Sequence, residues 1–122
     1  MDVYMHPEVI IERVIDGDTV ELSEPLYGAI KVRLDGIDVP ETRTASCKKE
    51  MQRGYEAKGF AVGVLEGRAV TIHTLGKKGR WGRLIARIEI DGKDYGQAML
   101  ERGYAVRYDR EWIETPKDKR WC

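Results

Sequence analysis

No stretch of the chain approaches the ~18 consecutive apolar positions that a membrane-spanning helix needs, so none is expected. The first residues, Met1 to Glu8, lack both a basic segment and an apolar run, so no secretory leader is visible. That points to a cytoplasmic protein, with secretion still open if a leader was removed. Internal repeats, low-complexity tracts and Pro/Gly/Ser linkers are missing as well, and 122 residues suit a single domain. Cysteine is scarce. Cys47 and Cys122 lie too far apart in sequence to make a zinc site without other ligands. They are expected either as two free thiols or as a bridge pinning the terminus to a helix, which would favour an oxidising compartment. Disorder is excluded by three Trp, six Tyr and well-spread Val, Ile and Leu.

Net charge is also absent, with 21 basic residues against 21 acidic. The two signs are segregated: residues 1–41 hold ten acidic against three basic, and residues 42–122 hold 18 basic against 11 acidic. Carboxylates for a cation and guanidinium or ammonium groups for an anion are what metal-assisted phosphate chemistry requires. A densely charged surface also produces such asymmetry by chance.

Hydrophobic spacing predicts the elements. Glu8–Ile15 is a β-branched run ended by the hairpin signal Asp16-Gly17, and Thr19–Leu22 returns from it. In Ala29–Ile37, Ile30, Val32 and Leu34 alternate with Lys31, Arg33 and Asp35, so Arg33 leaves the polar face. From Ser46 to Gly67 the period becomes helical, with a stripe at Met51, Tyr55, Ala61, Val62 and Leu65 and a cap expected at Thr44 or Ser46. Strands follow at Arg68–Leu75 and Arg83–Ile90, joined by a loop over Gly76–Gly82, then a short helix at Tyr95–Arg102. Residues 109–122 are polar and are expected to run over the surface as a tail. Three strands, a helix, two strands and a short helix predict a mainly β fold with α: a five-stranded OB-type Greek-key β-barrel with two or three helices. An open α+β sheet is the alternative.

Three clusters carry candidate chemistry. Asp16-Gly17-Asp18-Thr19 places Asp18 at the start of a strand, although Asp-Gly is also ordinary turn chemistry. Arg33 to Glu41 follows with Asp38 at a strand end, Val39, and Glu41 after the stiffening Pro40. A hard cation takes carboxylate and carbonyl oxygens, so Asp18 and Asp38 suit one, and Glu41 can hold or deprotonate a water. Lys77-Lys78-Gly79-Arg80-Trp81-Gly82-Arg83 interleaves basic residues with one aromatic, a composition suited to a nucleic-acid backbone with base stacking, or to a merely solubilising hairpin. Arg33 and Arg83 together would clamp a phosphate better than lysines, because the guanidinium fork is planar and bidentate. His6 and His73 are isolated and take no role.

In order and spacing, Val14-Ile15-Asp16-Gly17-Asp18-Thr19-Val20, Val32-Arg33-Leu34, Asp38-Val39-Pro40-Glu41, Trp81-Gly82-Arg83 and Gly103-Tyr104-Ala105 resemble the staphylococcal nuclease family, over about residues 8–108. The resemblance implies a calcium-dependent phosphodiesterase acting on DNA and RNA, single strands preferred, that breaks the bond to the 5′-oxygen and leaves 3′-phosphate ends. It implies Asp18 and Asp38 as calcium carboxylates with the Val39 carbonyl. Glu41 would activate the attacking water, and Arg33 and Arg83 would stabilise the phosphate. Lys77, Lys78, Arg80, Trp81, Arg87 and Tyr108 are the expected nucleic-acid contacts, with Tyr104 the alternative to Tyr108, and a monomer is expected. Where the family often has Thr and Tyr, this chain has Val39 and Trp81; the first costs little because only a main-chain oxygen is needed there. Near-neutral charge is expected to make binding weaker and more salt-sensitive. The rival reading is a non-catalytic OB-fold nucleic-acid-binding module, which has no need of the Asp18, Asp38 and Glu41 group.

Overall fold

The computed structural model describes residues 3–122; Met1 and Asp2, at the head of the stretch read for a leader, lie outside the described residues. Strands β1 (Tyr4–Asp16), β2 (Thr19–Leu26), β3 (Ala29–Leu34) and β4 (Ile37–Asp38) precede helix α1 (Lys48–Leu65). Next come β5 (Ala69–Lys78), a 3₁₀ turn (Arg80–Gly82), β6 (Leu84–Ile90), β7 (Lys93–Asp94) and helix α2 (Tyr95–Glu101). The chain ends with β8 (Val106–Arg107), α3 (Arg110–Glu114) and α4 (Lys117–Arg120). β1 pairs antiparallel with both β2 and β5, β2 pairs with β3, and β5 with β6. A parallel pairing of β3 with β6 joins the ends, so five strands close into the expected barrel. Closure removes the open edges that a sheet would otherwise have to protect.

Period two fills the interior. Val32 and Leu34 from β3, Val70 and Ile72 from β5, and Leu84, Ala86 and Ile88 from β6 are buried, with Ile11 and Val14 from β1. Ile11 and Val14 lie three apart yet both point inward, because a register shift between Ile11 and Arg13 resets the alternation. β4 and β8 form a separate two-stranded ladder, with Asp38 opposite Val106, so the chain entering the C-terminal tail starts beside Asp38.

Helix α1 keeps the expected stripe at Ala61 and Leu65 but departs from it in its first turns. Met51 and Tyr55 are exposed, and the buried face is Glu50, Gly54, Ala57, Ala61 and Leu65. Small residues win this face because the helix lies close to its neighbours. A Cβ on Gly54 would overlap the Glu41 carbonyl oxygen and come within 2.8 Å of its carbon and 2.9 Å of the Pro40 oxygen. The cap is Cys47, whose sulfur accepts from the Glu50 N–H at 3.4 Å, in place of Thr44 or Ser46. Among the described residues there are four helices instead of two or three; the additions are the one-turn α3 and α4 in the tail. That tail is mostly exposed, but Trp121 is buried and Cys122 is bonded to Cys47, which settles the cysteines as a bridge. No helix among the described residues is long and apolar enough to cross a membrane.

Candidate active site

Turn chemistry and strand alternation deliver the acidic side. The Asp16–Thr19 hairpin turn is backed by Tyr95 of α2, whose hydroxyl donates to the Gly17 carbonyl at 2.9 Å. A side chain at Gly17 would meet Val39, Ala57 and Met99 at 3.1–3.3 Å, so the turn is seated on the core. Asp18 is therefore buried, with one oxygen accepting from the Thr19 hydroxyl at 3.0 Å. Arg33 lies opposite Thr19 in the β2–β3 ladder. Its Nη1 donates to the Leu34 carbonyl at 2.7 Å and the Ile37 carbonyl at 3.0 Å. Its Nη2 stands 3.2 Å from Asp18 and 3.7 Å from Asp38. One arginine thus binds the β3–β4 turn and holds the two carboxylates expected to take a cation.

Glu41 lies beyond the buried Val39 and Pro40. Its backbone N–H donates to the Glu50 carboxylate at 2.9 Å, and the other Glu50 oxygen accepts from the Ser46 N–H at 2.8 Å. Buried Glu50 therefore fixes both ends of the loop carrying Glu41. The Thr44 hydroxyl donates to the Glu41 side chain at 3.3 Å, and the Thr42 hydroxyl donates to Asp16 at 3.0 Å.

The electrostatics mark crowded negative charge. Burial pushes the Asp18 carboxyl above its ordinary range; Arg33 and the Thr19 hydrogen bond oppose this, while Asp38 and Asp16 reinforce it. Partial burial also raises the Glu41 carboxyl, helped by the charges of Asp18, Asp16 and Asp38. Arg83 is drawn into the same field. Its partial burial and the like charge of Arg33 lower its pKa, and Asp18 and Glu41 act in the opposite sense. Arg33, Asp18, Asp38, Glu41 and Arg83 are therefore one electrostatic cluster.

Among the described residues, no three acidic, histidine or cysteine side chains stand close enough to cage a metal unaided. Asp18, Asp38 and the Val39 carbonyl offer oxygen donors only, the chemistry of a hard cation that keeps some of its own waters. Burial is the main reason that Asp18 and Glu41 hold their protons more tightly, and the neighbouring carboxylates add to it; a cation would offset that added negative charge. The donor set fits.

The basic side is built differently. Lys77 and Lys78 are exposed on the end of β5, which runs three residues past the expected strand. Trp81 is 83% exposed, with a left-handed backbone at φ 58° that bulky side chains rarely adopt. The Arg83 guanidinium lies 5.0 Å and that of Arg80 5.9 Å from the centre of its ring. Arg83 also donates from Nε to the Arg80 carbonyl at 3.2 Å, so the loop aims this arginine. Arg87 lies apart from these. It faces Asp94 at 3.9 Å and lines a shallow pocket with Asp35, Gln97 and Arg107. Tyr104 stacks on Phe60 at 5.1 Å, whereas Tyr108 is exposed, which leaves Tyr108 the freer of the two rings.

Sequence reasoning missed Glu50, Gly54 and Trp112. Glu50 carried a readable signal, an acid at the third position of a helix, where its side chain can reach back to free backbone N–H groups. Trp112 carried none. Its indole N–H donates to Asp38 Oδ2 at 2.8 Å across 74 residues of chain.

Comparison with known proteins adds the lineage. The sequence model of the family described as staphylococcal nuclease homologue matches residues 31–121. That match reaches past the expected limit at 108 to take in the tail, and it leaves out β1 and β2 with Asp18. Endonuclease YhcR of Bacillus subtilis is 30% identical over 108 residues, covering 83% of this chain and 9% of that protein. Staphylococcal-like nuclease CAN1 of Arabidopsis thaliana is 31% identical over 107 residues, 80% of this chain and 30% of that protein. An uncharacterised 38.1 kDa protein of Capnoides sempervirens is 29% identical over 122 residues, 96% of this chain and 32% of that protein. The chain spans less than a third of each of these relatives. Three quarters of its own length falls within one family's sequence model, on a five-stranded closed barrel: the chain belongs to the staphylococcal nuclease homologue family.

Proposed function

We propose that this chain is a calcium-dependent nuclease that hydrolyses phosphodiester bonds of DNA and RNA, single strands preferred, and works as a monomer. The observation that carries the reading is the cluster itself: Arg33 held between Asp18 and Asp38, with Glu41 and Arg83 in the same field. A module that only bound nucleic acid would gain nothing from crowded, half-buried carboxylates beside the phosphate, since they repel it. Family membership and the names of two relatives, an endonuclease and a staphylococcal-like nuclease, support the same reading.

In this reading Asp18, Asp38 and the Val39 carbonyl hold the cation, which supplies Lewis-acid charge to a phosphate oxygen and lowers the pKa of water. Glu41 takes the proton of the attacking water. Its raised proton affinity brings it nearer the working pH, where a general base is most effective. Arg83 presents its fork to the phosphate from Trp81's side, and Arg33 offers Nε while Nη1 and Nη2 hold the turn and the carboxylates. Guanidinium charge fixed in place before reaction stabilises the charge that builds on the phosphorane. The bond to the 5′-oxygen breaks and the phosphate stays on the 3′ end. Lys77, Lys78, Arg80, Trp81 and Tyr108 guide the strand, with Arg87 at its flank. The Cys47–Cys122 bridge favours an oxidising compartment over the cytoplasm as the place of work.

The test is cleavage of end-labelled single-stranded DNA and RNA with Ca²⁺, Mg²⁺ or EDTA, followed by analysis of the new ends. Calcium-dependent cleavage with 3′-phosphate ends is the expected result. Binding without cleavage in every metal would reduce the domain to a nucleic-acid-binding module.

A further inference from the structure

We infer that Trp112 is a positioning residue for Asp38, and that the Cys47–Cys122 bridge holds it there; the inference rests on Asp38 being a cation ligand. The Asp38 carboxylate is gripped at both oxygens. Oδ2 accepts from the Trp112 indole at 2.8 Å, and Oδ1 faces Arg33 Nη2 at 3.7 Å. An indole N–H is a donor only, neutral and rigid. It can fix the carboxylate's rotation without neutralising it and without competing for a cation. Hydrogen bonds of this kind, made to a ligand's free oxygen, tune metal sites from outside the ligand set.

The tail that carries Trp112 is strapped at both ends. It leaves β8, which pairs with Asp38's own strand, and Asp109 caps the turn by accepting from the Trp112 N–H at 3.0 Å. At the far end Trp121 is buried edge-on against Trp112, with ring centres 5.0 Å apart, and Arg53 of α1 lies 5.1 Å from its centre. Arg120 ties the two short helices, donating to the Thr115 carbonyl at 2.9 Å and the Ile113 carbonyl at 2.7 Å. Helices of five and four residues do not persist alone. The covalent anchor at Cys122 therefore matters to the placement of Trp112. That anchor ends on Cys47, the cap of the helix whose Glu50 holds the Glu41 loop. One bridge thus braces the loop of the expected base and the partner of an expected ligand.

Trp112→Phe keeps the ring against Trp121 and removes only the N–H. Calorimetric titration with calcium of the wild type, Trp112→Phe and Cys122→Ser reads the effect without substrate, and kcat and KM on single-stranded DNA read it with substrate. The inference expects Trp112→Phe to bind calcium about tenfold more weakly or worse. It also expects kcat to fall with it, KM to change little and the unfolding midpoint to stay within a few degrees. Cys122→Ser, or wild type in dithiothreitol, should show part of the same loss together with faster deuterium exchange at the Trp112 indole. In calcium affinity the double variant should be no worse than Trp112→Phe alone. Unchanged or tighter calcium binding by Trp112→Phe would overturn the role of Trp112. An impaired Trp112→Phe beside a normal Cys122→Ser would overturn the role of the bridge. If Trp112→Phe does not fold, wild type in dithiothreitol decides: calcium affinity equal to that of the oxidised protein refutes the inference. Failure of the wild type itself to bind calcium would overturn the proposed function and this inference together.

Discussion

On the acidic side of the site every group singled out is held by another part of the protein, while on the basic side the groups reach into solvent. Asp18 has Thr19 and Arg33, Asp38 has Arg33 and Trp112, and the Glu41 loop has Glu50. Among the described residues no buried side-chain polar atom lacks a hydrogen-bond partner. Trp81, Lys77 and Lys78 stand open to solvent, and a left-handed backbone turns Trp81 outward. The difference follows from the two tasks. Charge that must meet a transition state is fixed in advance so that no reorganisation falls within the reaction. Groups that catch a flexible, variable strand lose little by being mobile, because every base offers a face to stack upon. Arg83 belongs to both sides, set against Trp81 yet within the field of Asp18 and Glu41.

The sharpest way to probe this comparison is to remove an arginine from each side. Arg33→Ala and Arg83→Ala should each lower kcat by about 10²–10³-fold, the scale of losing one preorganised donor. Their stabilities should part. Arg33→Ala leaves Asp18 and Asp38 without their common partner and should cost on the order of 3 kcal/mol in denaturant unfolding. Arg83→Ala should unfold close to wild type. Equal stability losses would erase the distinction between the two sides.

A smaller effect belongs to the open side alone. Trp81→Ala should weaken binding of a short single strand by about 1–3 kcal/mol, the worth of one stacked base. Its single-turnover rate at saturation should stay within a few-fold of wild type, and its stability should not fall. A large loss of rate with unchanged binding would move Trp81 into the chemistry.

The smallest effect on stability tests the cost of burying Asp18. The folded Asp18 has a pKa above its ordinary value of 3.8, so the folded state holds this proton more tightly than the unfolded chain. Its contribution favours folding below that value and is lost as pH rises through the folded pKa. Asp18→Asn should therefore be inactive yet unfold at an equal or higher midpoint near pH 7, with the difference vanishing near pH 3. A clearly lower midpoint at pH 7 would mean that the Arg33 pair outweighs burial.

Much of this could be read from the chain in advance, and the limits have a physical basis. The barrel was legible because period-two strands, Asp-Gly turns and a helical stretch are local signals. Arg33 was placed on the polar face by alternation alone. The buried face of α1 was read correctly at Ala61 and Leu65 and misread by one position in its first turns, since Met51 and Tyr55 look like core until Gly54 is seen to admit the Glu41 backbone. Trp112 escaped for a similar reason: its partner lies across the fold, and nothing around Glu111 or Ile113 marks a buried surface. Contacts between distant segments follow from how the elements pack, which no local pattern records.

The most direct test of the account compares wild type with Glu41→Gln in single-turnover cleavage of labelled single-stranded DNA across pH, beside a calcium titration of both. The account predicts a wild-type rate that falls on acidification as Glu41 takes up a proton. It predicts that Glu41→Gln loses most of the rate and that acidic limb while binding calcium nearly as well as wild type. A variant that cleaves normally, or one that loses calcium in proportion to rate, would contradict it.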